Sequence, residues 1–393
     1  MLRPLFALAL GLIVASASLA ASAADQTPYE INAVLSLTGP AAFIGASEAR
    51  TLGIVATTVN HSGGINGRPI AFHISDDQSN PVLSVQLVNG LIGEHVPLIF
   101  GPGFTATCAA TMALTMKTGP VMWCMAPGIY PDPGSYVFST QATTDQTVIV
   151  MVRYFRLRGW KRMAVISSTD ASGQAFDHGV ATAAALPENR DVQIVAHEHM
   201  SPTDISISAQ ASRIKAANPQ VLMTLATGSP WGTIMRGIAD AGIDVPIGGG
   251  NGNLIIAQLD QYRAFLPSEM YFPGNIAVAP ESIGKGPIED AQAVYFNAFR
   301  AAGIKPDLGY NIGWDPAMIL VGALRALGTS ASAEQVRNYI VNLHGWVGIN
   351  GVYDFRDGAQ RGIGQRSQVM DRWDKTRSVF VAVSRPAGYL KAK

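Results

Sequence analysis

The chain has 393 residues, 48% of them hydrophobic and 14% charged, which is more than one packed core needs and points to two lobes of ordinary domain size. Lys plus Arg and Asp plus Glu each number 28, so no net charge steers the protein toward nucleic acid or an anionic membrane. That balance leaves a small molecule as the expected partner.

The chain opens as an export signal. Arg3 gives a minimal positive start, and the apolar stretch over residues 5–15 is too short to span a bilayer. The small residues that follow predict cleavage after Ala23 or Ala24, and no Cys stands at the signal's end to carry a lipid anchor. The expectation is a periplasmic protein with no stable membrane insertion. Cys108 and Cys124 then face an oxidising compartment; one early in a helix and one at a strand end, they can pair without being required to.

From residue 30, strand-like runs alternate with helical patterns, the signature of βαβ units. Strands are predicted at 34–37, 68–74, 97–100 and 121–125. Helices are predicted at 46–60, 82–93 and from 105, the second opened by Asn80-Pro81. After Asp145 the plan repeats. A helix to about 158 is followed by strands at 163–167, 192–198, 221–225 and 245–248, with helices from 173, at 205–217 and at 231–241 between them. The last third reads as a strand at 270–277, helices at 287–302 and 316–327, and closing strands at 352–355 and 377–383. With no Pro/Ser/Gly-rich linker in sight, the chain is expected to cross between lobes near 139–145, 272–275 and 354–362. The expected architecture is α/β, two doubly wound parallel-sheet lobes joined by a multi-strand hinge. After the signal at 1–24, the first lobe takes residues 25–142 plus 275–354, and the second takes 143–274 plus 355–393.

In open parallel sheets a ligand sits outside the carboxyl ends of the strands, where helix N-termini offer free N–H groups. That rule nominates loops at 36–45, 101–107, 126–130, 168–173, 227–231 and 249–253. They are rich in Gly, Ser, Thr and Asn, and Asp170 is their only charged residue.

Leu37-Thr38-Gly39-Pro40, then Asn60-His61-Ser62-Gly63-Gly64-Ile65-Asn66-Gly67-Arg68-Pro69-Ile70, then Asp76-Asp77-Gln78-Ser79-Asn80-Pro81 resemble the N-terminal signature of the branched-chain amino acid (Leu/Ile/Val-binding) family of type I periplasmic binding proteins. The resemblance in pattern runs over most of residues 30–385. It implies a non-catalytic protein, without cofactor, that closes its lobes on a small solute and docks as a monomer on the permease subunits of an ABC importer. It also implies that the ligand carboxylate meets Thr105, Ala126 and Gly128. Two aromatics that cover the ligand in the family fall near Ser172 and Thr227, and the carboxylate that neutralises an ammonium falls near Asn251. An ammonium buried without a counter-charge costs several kcal/mol, so the expected ligand is an aromatic or aliphatic acid rather than a simple α-amino acid. Phe43, Phe104, Tyr130 and Trp231 are available to line the enlarged space.

Other readings weigh less. Gly101-Pro102-Gly103-Phe104-Thr105-Ala106 fits the dinucleotide pattern G-x-G-x-x-A, but the next strand, Val121-Met122-Trp123-Cys124-Met125, ends on no acidic residue, which weakens a nicotinamide-dependent oxidoreductase. Residues 248–253 lack the Lys-Ser/Thr of a phosphate loop. His197 and His199 share a strand face but, without a third ligand, read as a solvated edge. The methionines of 112–125 read as core. A sensor of the same fold feeding a signalling receptor stays open beside transport.

Overall fold

The computed structural model describes residues 27–391, so the expected export signal lies outside the described residues. The first sheet is built by β1 (Tyr29–Leu35), β2 (Ile70–Asp76), β3 (Leu98–Phe100), β4 (Val121–Trp123) and β5 (Val137–Phe138), all parallel in the order β2-β1-β3-β4-β5. Its crossover helices are α1 (Ala42–His61), α2 (Pro81–Gly93) and α3 (Thr105–Thr115). In α1 the buried positions Ile44, Glu48, Leu52, Val55 and Val59 repeat at the helical period, so one stripe faces the sheet. α2 starts where Asn80-Pro81 requires: Asn80 Oδ1 accepts from the amides of Val82 and Leu83 at 2.9 and 3.3 Å.

The second sheet joins β6 (Arg162–Ser168), β7 (Gln193–Met200), β8 (Val221–Leu225), β9 (Ile247–Gly249) and β10 (Met270–Asn275) in parallel, and adds β13 (Gln368–Asp374) and β14 (Val379–Ala382) antiparallel, in the order β14-β13-β10-β9-β8-β6-β7. Its helices are α4 (Thr144–Leu157), α5 (Ala171–Ala185), α6 (Ser208–Ala216), α7 (Pro230–Asp240) and α8 (Ile256–Tyr262). α9 (Pro287–Ala301), α10 (Leu308–Leu327) and α11 (Ala333–Val341) follow β10 and return to the first sheet, where Thr51 Oγ1 donates to the Tyr310 carbonyl at 2.9 Å. A hairpin, β11 (His344–Gly348) and β12 (Gly351–Asp354), leads back to β13. The fold is α/β with two mainly parallel sheets, and among the described residues no helix is long and apolar enough to cross a membrane.

Several boundaries depart from the sequence reading, each for a physical reason. The helix expected from Pro316 starts at Leu308. Asp307 caps it through the Gly309 amide at 3.0 Å, and Pro316 is tolerated inside it among buried neighbours. β5 has two residues, too short to show a pattern. β13 went unpredicted because Asp371 breaks its apolar alternation, yet Asp371 is fully buried and burial holds its carboxyl well above the usual range. The α4 helix begins with a capping box between Thr143 and Gln146.

Three chain crossings join the sheets: β5 to α4, β10 to α9, and β12 to β13. A buried polar network ties them together. Asn275 Nδ2 donates to Gln141 Oε1 at 3.1 Å and to Asn311 Oδ1 at 3.2 Å, and Gln368 Nε2 donates to Asn275 Oδ1. Asn350 Nδ2 reaches the same Asn311 oxygen at 2.8 Å. The buried Arg361 donates to the carbonyls of Gln141 at 2.7 Å and of Ile129, clamping the third crossing to the first.

Cys108 in α3 and Cys124 after β4 form a disulfide with a Cα separation of 6.0 Å, resolving the pairing that the sequence left open. It closes a loop of sequence separation 16 within the first sheet's own layer. Such a loop stabilises by about 3 kcal/mol in the chain-entropy picture. Cys108→Ser/Cys124→Ser is therefore expected to lower the stability of the folded chain by about 2–4 kcal/mol in urea unfolding; an unchanged midpoint would show that the bond carries no such load.

Candidate functional site

The carboxyl ends of both sheets face each other across a cleft, and there the strand-to-helix loops supply the lining. The cleft is a partly enclosed space lined from both sheets, the kind of concave, mostly apolar site with a few polar groups where small ligands bind. From the first sheet come Gly103, Phe104 and Thr105 at the start of α3, and Met125 and Pro127 after β4. Gln141 of the first crossing and Thr144 at the start of α4 lie at its back. The second sheet contributes Ser172, Leu225, Thr227, Asn251, Gly252, Asn253 and Ile255, while Ile44 of α1 and Leu308, Gly309 and Ile312 of α10 complete the wall.

None of these eighteen residues is charged. Asp170, the one carboxylate in the loops nominated from sequence, is occupied elsewhere: it caps α5 by accepting from the amides of Ser172 and Gly173 at 3.1 and 3.0 Å, and from the hydroxyls of Ser172 and Ser168 at 2.7 and 2.8 Å. Glu48 lies behind the lining, its carboxyl packed on Gly103 where a side chain at that position would otherwise project. Burial, reinforced by the neighbouring Asp77, pushes Glu48 up to about 8, so it is mainly uncharged at neutral pH. The cleft is polar through hydroxyls and amides, apolar through seven aliphatic and aromatic side chains and Pro127, and electrically neutral.

Of the residues singled out by sequence, Phe104, Thr105, Ser172, Thr227 and Asn251 are brought together in this one lining. Gly128 stands against Thr105: a Cβ there would lie 2.8 Å from Thr105 Cγ2, so only glycine permits this approach. Ala126 is buried beside the cleft, its carbonyl accepting from Ser139 Oγ at 3.4 Å. The remaining aromatics are placed elsewhere. Trp231 is fully buried in the second core, its Nε1 donating to Thr224 Oγ1 at 3.1 Å and its ring packed on Tyr262 and Phe272. Phe43 packs half-buried on the first core, and Tyr130 lies outside on the Arg361 guanidinium.

Asn253 lies in the nominated loop 249–253, whereas Gln141 and Thr144 were not among the nominated loops. Gln141 matters most, since its Nε2 is buried without a partner while the same side chain both lines the cleft and joins the hinge network. The signal available was its position inside the expected crossing at 139–145.

The loops also meet across the cleft. The Ser229 amide donates to the Pro40 carbonyl at 3.1 Å, linking the loop after β8 to the loop after β1. A pair of α/β lobes in contact over a neutral cleft, with three crossings behind it, defines a two-lobed small-molecule-binding protein.

Comparison with known proteins agrees. A sequence profile described as periplasmic binding protein matches residues 28–375, and the chain belongs to that family. A Leu/Ile/Val-binding protein homolog 3 of Brucella melitensis is 24% identical over 242 residues, which is 60% of this chain and 65% of the relative, so the match spans just under two thirds of that protein. A homolog 1 from Brucella abortus is 24% identical over 76% of this chain and 78% of its own length. Among solved structures, a Rhodopseudomonas palustris ABC transporter solute-binding protein in complex with benzoate superposes with a TM-score of 0.77 at 16% identity, covering 93% of this chain and 98% of its own. The Streptococcus pneumoniae branched-chain amino acid transporter substrate-binding protein LivJ, in complex with isoleucine, gives 0.73 at 16% identity with the same coverage.

Proposed function

We propose that the protein is the substrate-binding component of an ABC importer and that it encloses an aromatic or aliphatic carboxylate, or a similar neutral to anionic and partly apolar solute, by closing its lobes. The observation that carries the ligand class is the absence of any charged side chain from the cleft lining. An α-amino acid would bring a buried ammonium with nothing to neutralise it. A carboxylate needs only donors, and the Thr105 hydroxyl, the Asn251 side-chain amide and the free Gln141 Nε2 supply them. The solved relatives span both chemistries, one with isoleucine and one with benzoate, which keeps both within reach of the fold.

In this reading the ligand first meets Thr105 and the Ala126–Gly128 loop on a lobe formed by residues 25–142 plus 275–354. The lobe of residues 143–274 plus 355–393 then closes Ser172, Thr227 and Asn251 over it. Closure is driven only by contacts the closed form adds. The closed monomer is the form offered to the permease subunits, after export and cleavage of the signal near Ala23 or Ala24.

A thermal-shift screen of the protein, refolded after denaturation to strip carried ligand, tests this against apolar amino acids, aromatic carboxylates, short aliphatic acids and amides. Stabilisation by the acids and not by leucine is expected; the reverse would end the ligand assignment. With the ligand in hand, Thr105→Ala is expected to weaken binding by about 1–3 kcal/mol in calorimetry. Asn251→Asp is expected to abolish the acid's binding and to admit an ammonium-bearing ligand. Affinity unchanged by both would place the site elsewhere.

A further inference from the structure

β7 is an edge strand of the second sheet, and His197 and His199, two residues apart on it, present their rings on the same side. Their centroids are 4.9 Å apart. α5 passes over that side and contributes the third group that the sequence did not reveal. Asp177 Oδ1 meets His197 Nε2 at 2.8 Å, and Asp177 Oδ2 meets His199 Nε2 at 2.9 Å. Ser167 Oγ, from the neighbouring strand β6, donates to Asp177 Oδ1 at 2.7 Å and fixes the carboxylate.

One nitrogen from each ring and one carboxylate oxygen therefore lie within 4.8 Å of one another. The three side chains are 34%, 47% and 24% exposed, open enough for an ion to enter yet anchored on a strand and a helix. None of them belongs to the ligand cleft, and no other basic side chain engages Asp177 among the described residues. A carboxylate that only needed a structural partner would be served by one histidine. Here both Nε2 atoms converge on it, and a single cation can take the place of the two protons they share with it.

We propose that Asp177, His197 and His199 form a binding site for a divalent first-row transition cation, Zn²⁺ foremost. Two imidazole nitrogens and one carboxylate oxygen are a donor set that favours such ions over Mg²⁺ or Ca²⁺, which take oxygen ligands. Three protein ligands leave a fourth tetrahedral position for water. Zn–N bonds of about 2.0–2.1 Å set tetrahedral ligands roughly 3.3 Å apart, so the Asp177 contacts at 2.8 and 2.9 Å open by a few tenths of an ångström around the ion, an adjustment that side-chain rotation supplies. The cation ties α5 to β7, and α5 is the helix whose first turn presents Ser172 to the cleft.

The test uses the untagged, chelator-stripped protein. Titration with Co²⁺ is expected to produce visible d–d absorption that saturates near one equivalent and is displaced by Zn²⁺, and Zn²⁺ is expected to raise Tm. His197→Gln and His199→Gln should each weaken Zn²⁺ binding by more than about tenfold, the loss that even outer-sphere partners of a metal cause. The double variant should lose both signals, as should Asp177→Asn. Absence of the Co²⁺ spectrum and of the Zn²⁺ shift in the unaltered protein overturns the site, as does a double variant that binds like the parent. Because both histidines stand on a partly exposed strand face, their variants remain folded, and circular dichroism verifies this independently of metal.

Discussion

Gly228→Ala is expected to leave the protein folded but to weaken ligand binding by about 1–3 kcal/mol, roughly 5- to 150-fold. Two costs fall at this residue and they are separable. Gly228 has φ of 75°, in the left-handed region where an L-residue is disfavoured by roughly 1–2 kcal/mol, and that cost acts whether or not the lobes touch. Gln258 Nε2 holds the same loop by donating to the Gly228 carbonyl at 2.7 Å, so the backbone has little room to relax. The second cost acts only when the lobes meet: a Cβ on Gly228 would overlap the Pro40 carbonyl oxygen, the atom that also accepts from the Ser229 amide at 3.1 Å. A modest fall in Tm without ligand reports the first cost. A larger loss in calorimetric affinity, with no ligand-induced compaction in small-angle scattering, reports the second. Gly252 lies in the same cleft with only Ile44 Cδ1 at 3.9 Å before it, so Gly252→Ala is the matched control with a small expected effect. Equal affinities for the parent and Gly228→Ala would mean that the Pro40 contact forms no part of the bound state.

Stability is expected to rise as pH falls from about 8.5 to 5.5, opposite to the usual behaviour of salt-bridged carboxylates. Burial pushes Glu48 up to about 8, Asp307 to about 7 and Asp315 to about 6, and raises Asp77 and, strongly, Asp371. A carboxyl with a raised folded value binds its proton more tightly folded than unfolded. Its stabilising contribution is full below the unfolded value and is lost as pH climbs through the folded one. Of the groups shifted the other way, Asp191, Asp374 and Asp354 lie at the surface. Lys161 and Arg156 hold Asp191 low, Arg377 does so for Asp374, and Arg356 sets Asp354 at about 2; their contributions are lost only in stronger acid. Between pH 8.5 and 5.5 the buried set decides the slope, and Tm should climb by several degrees, each kcal/mol counting for about 2–4 °C in a unit the size of one lobe. Glu48→Gln, isosteric and uncharged, should remove part of the upper end of that slope. A Tm that is flat or falls toward pH 5.5 would show these carboxyls to be paired in ways the fold does not reveal.

The architecture was readable because its evidence is local. Asn80-Pro81 opened α2 where expected, β8 fell at 221–225, and alternating strand and helix periods announced two sheets. What escaped was set by distant contacts. Asp371 made β13 look solvated because its burial depends on pairing with β10, where its carboxyl packs against Gly274. Leu308 begins α10 ahead of Pro316 because packing against α1 outweighs a missing backbone bond. The cleft divides the same way. Loops at strand ends nominated Phe104, Thr105, Ser172, Thr227 and Asn251, whereas Trp231 was nominated by proximity in sequence and turned inward to Thr224. Glu48 carried no local mark and Gln141 only its place in the expected crossing; each reaches the site only through the assembled fold.

The return of α10 to the first sheet also sets an order of events in time. The bond from Thr51 to Tyr310 spans 259 residues. At synthesis rates of about 5–20 residues per second, the amino-terminal half waits on the order of 10–50 seconds for the helix that covers it. During that interval the face of α1 that meets α10 has no native cover. A chain arranged this way completes its first lobe only after α10 has been made, so most of its length exists before that lobe can close over its core.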